Sequence, residues 1–418
     1  MKKVNIKAAY LAVGDELLIG QTLNTNAAYL GRWLNRIGVD LIESRTVMDR
    51  EYEMVEAMKQ MLNKVDWLFV TGGLGPTKDD ITKKAIAKTF QRPLVYDPNL
   101  VRHVEEFLLR IGKIPTLKDT SDLFLIPQGS KVFYNDQGTA PAILVEKEDK
   151  LLLAFPGVPR EFHHLLGDKV GHELKKRYTF CPPLQTTILT VGLGEPMVER
   201  AIESIRSKLP QEVALAFLPH YGMVKIRLTI PPKKASDDHQ RLESAVSAIE
   251  DVLRPHVFGR DEDTLSRSVG HLLMDSGGFL GTAESCTGGF LAHKITSVPG
   301  SSAYFKGSIV SYANEVKQNV LGVPSSLLQK WGAVSEPVAR KMAEGAINSL
   351  GVQLAISTTG VAGPGGGTLE KPIGTVWVAV SNGTRTHAQK FVFPYDRLGN
   401  IEATSIQALD MARRFLSE

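Results

Sequence analysis

The sequence predicts a multidomain α/β protein, on three observations. Its 418 residues exceed one ordinary domain and suit two or three. Short apolar runs alternate with stretches of helical spacing in the first and last thirds, the pattern of doubly wound parallel sheets. Between them, from about Lys169, the order becomes strand, helix, strand, strand, helix, which suits a small split βαβ module of α+β type. The expected units are therefore 1–168, 169–260 and 261–418.

Composition narrows the class. With 43% hydrophobic and 22% charged residues the chain has the make-up of an ordinary soluble protein. A net charge of +4 is too small in this length to argue a nucleic-acid partner. Cys181 and Cys286 lie far apart and suggest neither a disulfide framework nor a metal knuckle. The stretch 1–7 lacks a signal-length apolar core, and no run approaches a membrane span. The expectation is a cytoplasmic protein with no membrane partner.

In the first third, residues 8–13 form an apolar strand that ends in Gly14-Asp15-Glu16-Leu17-Leu18. Ala27, Leu30, Leu34 and Ile37 repeat at helical spacing, with Asn24, Thr25 or Asn26 as N-cap and Gly38 as stop. Residues 39–43 make a second strand, and Met54, Met58, Met61 and Leu62 mark a core-facing helix. Residues 67–70 make a third strand, and ligands bind at the carboxyl ends of such strands. There stands Gly72-Gly73-Leu74-Gly75-Pro76-Thr77, followed by Asp79 and Asp80. Its glycines let backbone N–H groups close round a phosphate or pyrophosphate. The two carboxylates suit a divalent cation that keeps waters and shares the substrate's phosphates, or else cap the helix through Ala85 and Ile86. Asn135, Gly138 and Thr139 lie in a turn between apolar runs, and 151–155 is a further strand. It leads to Pro156-Gly157-Val158-Pro159, after which Arg160 and Glu161 either face a site or decorate a helix.

In the middle, strands at 188–191, 213–218 and 224–230 frame a helix at 198–209, and a second helix runs through Leu242, Val246, Ile249 and Leu253. The charged stretch at 231–238 reads as a solvated turn.

A helix through Leu265, Val269, Leu272 and Leu273 opens the last third. A buried strand at 278–282 then reaches Glu284-Ser285-Cys286-Thr287-Gly288-Gly289, and Phe290 and Leu291 open a helix. A serine at such a turn is a candidate nucleophile beside amides that favour developing negative charge; it is equally a plain N-cap of a βα unit. A strand at 308–312 follows, with Lys317 one helical turn beyond Ala313. After a helix through Val338, Met342 and Ile347, a strand at 354–357 runs into Thr358-Thr359-Gly360-Val361-Ala362-Gly363, a glycine-rich loop suited to ribose or phosphate. Two strands and a closing helix, entered at Asp396-Arg397, complete the chain.

Taken together, these motifs resemble the CinA (competence/damage-inducible protein A) family along nearly the whole chain. The resemblance implies a molybdopterin-binding (MoaB/MogA-like) fold in the first unit and a small KH-type module in the second. It implies a PncC-type nicotinamide mononucleotide amidase in the third. In the amidase, Ser285 would attack the carboxamide, with Tyr312 and Lys317 as assistants and no cofactor. Glu284, Thr287, Gly288, Thr359, Gly360, Gly363 and Arg397 would hold the substrate, Arg397 as phosphate anchor. Many relatives carry a second Arg a few residues later, where Ile401 and Glu402 stand here.

For the first unit the resemblance implies hydrolysis of ADP-ribose to AMP and ribose 5-phosphate, with a divalent metal (Mg, Co or Mn) and K+. Asp79 and Asp80 would contact the metal. Asp15, Glu16, Asn26, Gly72, Gly73, Gly75, Pro76, Thr77, Asn135, Gly138 and Thr139 would contact the substrate. The expected partners are these small nucleotides and a second copy of the chain. No nucleic acid is expected, because the middle segment lacks the Gly-X-X-Gly loop of RNA-binding KH modules. A rival reading is a non-catalytic pterin- or nucleotide-binding protein serving competence or damage responses. Cys286 is a rival nucleophile, or a small buried residue under the turn.

Overall fold

The computed structural model describes residues 2–3, 6–77, 79–114, 121–232 and 237–418. Lys78 in the glycine-rich run, 233–236 in the charged turn, and 1, 4 and 5 in the N-terminal stretch lie outside the described residues. The chain divides into two compact units, Met1–Pro183 and Leu184–Glu418.

The first unit is built on a six-stranded sheet in the order Asp40–Val47, Lys7–Val13, Trp67–Thr71, Lys150–Phe155, Ala142–Lys147, Lys131–Phe133. The first four strands are parallel and the last two add an antiparallel edge. Side-chain alternation splits the core in two. Ala9, Leu11 and Val13 join a cluster with Met54, Met58 and Ile86 on one face. Ala8, Tyr10 and Ala12 join Leu30, Leu34 and Phe162 on the other. The helix Thr25–Ile37 starts at Asn24, whose side chain accepts the Ala27 amide, and stops at Gly38 in a left-handed conformation. The chain leaves Lys7–Val13 toward one sheet edge and returns to its other side at Trp67–Thr71. The carboxyl ends of these neighbours therefore bound a crevice at a switch point. The helical run Pro159–His164, Leu165–Val170 and Gly171–Arg177 passes residue 168 without a break, and the unit closes at Pro183.

The second unit holds two sheets. The smaller is ordered Ala214–His220, Met223–Ile230, Leu184–Val191, Val257–Arg260, with every neighbouring pair antiparallel. Met223–Ile230 splits two strands joined by the helix Glu195–Arg206, which gives the split βαβ arrangement. That helix and Asp238–Leu253 contribute to one core cluster with the sheet. The edge strand Val257–Arg260 carries no clear period in the sequence.

The larger sheet is ordered Phe305–Val310, Leu280–Glu284, Leu354–Gly360, Thr375–Ser381, Thr386–Val392. The first three strands are parallel, and the other two pair antiparallel. Leu265–Ser276 and Arg397–Ser417 bury one face, and Glu336–Leu350 packs on the opposite one. Among the described residues no helix is long and apolar enough to cross a membrane.

Candidate functional sites

In the first unit a cleft of about 570 Å3 opens at the crevice between Lys7–Val13 and Trp67–Thr71. Gly72 and Gly73 line it with φ of 100° and 65°. A Cβ on Gly72 would lie 2.2 Å from the Val13 carbonyl, and one on Gly73 2.3 Å from the Thr82 hydroxyl. The loop thus needs glycine twice, for conformation and for space. Thr82 ties it to the next helix, its hydroxyl donating to the Gly72 carbonyl at 2.9 Å. Gly72→Ala is expected to lower stability by about 1–3 kcal/mol through backbone strain, read as a lower thermal midpoint of the first unit.

Asp80 folds the loop on itself. One carboxylate oxygen accepts the Thr77 amide at 2.8 Å and the Thr77 hydroxyl at 2.6 Å. Asp79 is exposed and lines the cleft. Asp49, which no motif marks, arrives from the loop after Asp40–Val47 and also lines the cleft. Burial pushes its carboxyl above the usual range, and the nearby Asp15, Glu16 and Asp80 push it further. Asp15 and Asp49 brace each other, each carboxylate accepting the other's amide at 3.2 Å.

Four residues expected to touch a nucleotide, Asp15, Pro76, Asn135 and Gly138, stand outside the cleft lining. Asn135 is buried and donates to the Ala140 carbonyl at 3.0 Å and to Glu161 at 2.7 Å, while its oxygen accepts the Gln137 amide. Gly138 leaves room for the Glu161 carboxyl, which an added Cβ would meet at 2.4 Å. Glu161, left open by spacing, therefore faces the cleft, and burial raises its pKa. Glu16, Gly75, Thr77 and Thr139 line the cleft as expected contacts would. Asn26 donates to the Gly157 carbonyl at 2.8 Å, and its buried Oδ1 has no partner among the described residues. A ligand N–H or O–H would satisfy that acceptor. Among the described residues no three metal-ligating side chains converge. The donors present fit a cation that keeps its waters and bridges to a bound phosphate, not an all-protein cage.

In the second unit Ser285 directly follows the strand Leu280–Glu284, which lies between Phe305–Val310 and Leu354–Gly360. Its amide donates to the Thr358 carbonyl at 2.9 Å, which fixes the turn against the neighbouring strand. Lys317, on the helix Asn314–Asn319, is 1% exposed. Its Nζ lies 3.1 Å from Ser285 Oγ, 2.6 Å from the Ser311 carbonyl and 3.2 Å from the Tyr312 carbonyl. Burial lowers its pKa below the ordinary lysine value. The Cys286 thiol is 6% exposed, and burial pushes it up to about 12. Cys286 is thus a small apolar residue under the turn.

Glu284, expected at the substrate, turns its carboxylate into the fold. It is fully buried, and its carboxylate accepts the amides of Gly289, Leu291 and Ala292 together with the hydroxyls of Thr282, Thr287 and Ser308. It caps the helix Phe290–Thr296 from within the strand, which is the physical reason for an acid beside the serine. Thr287 and Thr359 are likewise buried; Thr287 bonds Glu284 and Thr358, and Thr359 donates to the Ala333 carbonyl at 2.8 Å. Gly360 packs under Thr375–Ser381, where a Cβ would lie 2.6 Å from Val376. Gly288 is exposed, with open space on its side-chain face.

The Tyr312 side chain is 62% exposed, and only its carbonyl meets Lys317. Its hydroxyl accepts from Arg397 at 3.1 Å, so Tyr312 does not bridge lysine and serine. Arg397 also donates to the Gly363 carbonyl at 2.6 Å, clasping the glycine-rich loop. Buried Asn400 holds the same loop by donating to the Ala362 and Tyr395 carbonyls. Glu402 pairs with Lys294 at 2.6 Å.

Fold and sites together define a multidomain α/β protein: a molybdopterin-binding-like sheet with a glycine-lined cleft, a KH-type module, and a sheet carrying a buried serine–lysine pair. The chain belongs to the CinA family. Family models match as the CinA C-terminal domain over 262–416, a probable molybdopterin binding domain over 9–176, and the damage-inducible protein CinA KH domain over 185–259. A CinA-like protein of Cytophaga hutchinsonii is 35% identical over 99% of both chains. A putative competence-damage inducible protein of Symbiobacterium thermophilum is 37% identical over 98% of both. The crystal structure of competence/damage inducible protein CihA from Agrobacterium tumefaciens is 36% identical, covering 37% of this chain and 94% of that one, with a TM-score of 0.36.

Proposed function

We propose that the second unit hydrolyses the carboxamide of nicotinamide mononucleotide, releasing ammonia and nicotinate mononucleotide. One observation carries this: Lys317 Nζ, buried and held by two carbonyls, stands 3.1 Å from Ser285 Oγ. A neutral lysine has two N–H bonds and one lone pair. With its N–H groups on the Ser311 and Tyr312 carbonyls, the lone pair is left for the serine proton. Ser285 Oγ attacks the carboxamide carbon while its proton passes to Lys317. Lys317 then returns the proton to the departing nitrogen, the C–N bond breaks, and water cleaves the acyl-enzyme. The Ser285 and Gly288 amides are bound to Thr358 and Ser285 carbonyls. The Cys286 and Thr287 amides have no acceptor among the described residues and are the candidate oxyanion donors. Arg397 has N–H groups to spare for the phosphate. Ammonia release from nicotinamide mononucleotide by the purified chain is the test, and its absence from folded protein would sink the assignment.

The first unit is proposed to hydrolyse ADP-ribose to AMP and ribose 5-phosphate. Support comes from the glycine-lined cleft, the unpartnered Asn26 acceptor, and carboxylates at Glu16, Asp49, Asp79 and Asp80. Asp79 and Asp80 would hold a divalent cation, which supplies charge neutralisation on the pyrophosphate. K+ and a homodimeric assembly belong to the same proposal. Chelation of divalent metal is expected to abolish AMP formation and to leave ammonia release within about twofold, since no step there uses a metal. ADP-ribose bound without AMP in any of Mg, Mn or Co would make the cleft a binding site instead.

A further inference from the structure

A side chain of the middle module, Tyr221, packs beside the start of the closing helix. The strands Ala214–His220 and Met223–Ile230 turn at Tyr221-Gly222, with φ of 38° and 82°. Two-residue turns of this kind favour Asn, Asp or Gly at both positions, because a larger side chain is strained at positive φ. A tyrosine there is held against its own backbone preference, and such strain persists where the surroundings fix it. The Tyr221 ring meets Tyr395 edge-on at 5.0 Å between centroids. It also covers Gly399 so closely that a Cβ there would lie 2.9 Å from the ring. The Gly192 amide donates to the Gly222 carbonyl at 2.9 Å and pins the turn from the other side.

Tyr395 and Gly399 each stand two residues from Arg397. Asp396, between them, caps the closing helix by accepting the Gly399 amide at 2.7 Å. Among the described residues the Arg397 guanidinium hydrogen-bonds to the Gly363 carbonyl and the exposed Tyr312 hydroxyl alone. We infer that Tyr221 is a positioning residue for the amidase: its ring wedges the start of the closing helix and so sets where Arg397 meets the substrate phosphate. This rests on the amidase assignment above. The middle module is then a brace for the neighbouring site, which also gives it a task that needs no RNA-binding loop.

A phosphate anchor holds substrate and transition state alike, so loosening it raises KM and spares kcat. The variant Tyr221→Asn removes the ring, and relaxing the turn offsets part of the packing lost, so its thermal midpoint is measured first to show folded protein. Tyr221→Asn should raise KM for nicotinamide mononucleotide about tenfold with kcat within about twofold, and Tyr221→Phe should restore the wild-type KM. The tenfold loss should vanish with nicotinamide riboside, which lacks the phosphate. Wild-type KM in Tyr221→Asn, an equal loss in Tyr221→Phe, or an equal loss on the riboside would overturn the inference. If the wild type releases no ammonia, the amidase assignment fails separately. Calorimetry with inorganic phosphate then decides: weaker binding by Tyr221→Asn supports the wedge, and equal or no binding by wild type and variant overturns it.

Discussion

Ser285→Ala is expected to cut ammonia release from nicotinamide mononucleotide by roughly a thousandfold or more, as loss of a covalent nucleophile does. Cys286→Ala, one residue away, should stay within a few-fold of wild type. The two neighbours differ in environment more than in intrinsic reactivity. Cysteine is the stronger nucleophile only as thiolate. With its thiol pushed up to about 12, only about one Cys286 in 10^5 is ionised at neutral pH. Ser285 needs no standing charge, because Lys317 Nζ lies within hydrogen-bond reach to take its proton during attack. Both substitutions are small and sit in a turn held by Thr358 and Glu284, so thermal midpoints should report folded protein in each. Loss confined to the Cys286 variant would keep the substrate and overturn the nucleophile.

How far the sequence could be read depended on the range of the interaction. Periodicity placed both parallel sheets, because strands buried on both faces and their helices leave local patterns at Lys7–Val13, Trp67–Thr71 and Leu280–Glu284. Ser285 stood out at its turn and Lys317 came only with the family resemblance, since 32 residues of spacing say nothing about a 3.1 Å contact. What local pattern cannot show is which way a polar side chain turns. Glu284 and Asn135 sit inside motifs and look like ligand contacts, yet both spend their hydrogen bonds on backbone and neighbouring side chains. Tyr312 was expected at the serine, but its hydroxyl turns to Arg397, 85 positions away. Asp49, Asn400 and Tyr221 carry no motif at all. Each is brought to its site by tertiary packing, from a loop, a helix and a hairpin turn in that order, so only the fold marks them. Cys181 takes part in neither site.

The largest effect after the nucleophile is expected at Lys317, through both substitution and pH. Lys317→Met should lower kcat by about 10^2- to 10^4-fold, the usual contribution of a positioned general base. Lys317→Arg should be no better, since guanidinium keeps its proton and cannot accept one. In the wild type only the neutral amine can act as base. Burial destabilises the ammonium, moving the pKa down from 10.5, so the neutral fraction at any given pH is larger than for an exposed lysine. The sign follows: kcat/KM should rise with pH along a single basic limb, and its midpoint should lie below 10.5. The Ser311 and Tyr312 carbonyls oppose burial, because each accepts more strongly from an ammonium. A protonated Lys317 would have three N–H groups for three oxygens and would hold Ser285 as an acceptor, unreactive. Deprotonation frees one pair of electrons, and the carbonyls leave the serine hydroxyl as its partner. The same three contacts therefore act as a rest state at low pH and as the attacking pair at high pH. A flat profile between pH 6 and 10, or an active Arg variant, would remove Lys317 from proton transfer and leave it a structural cation.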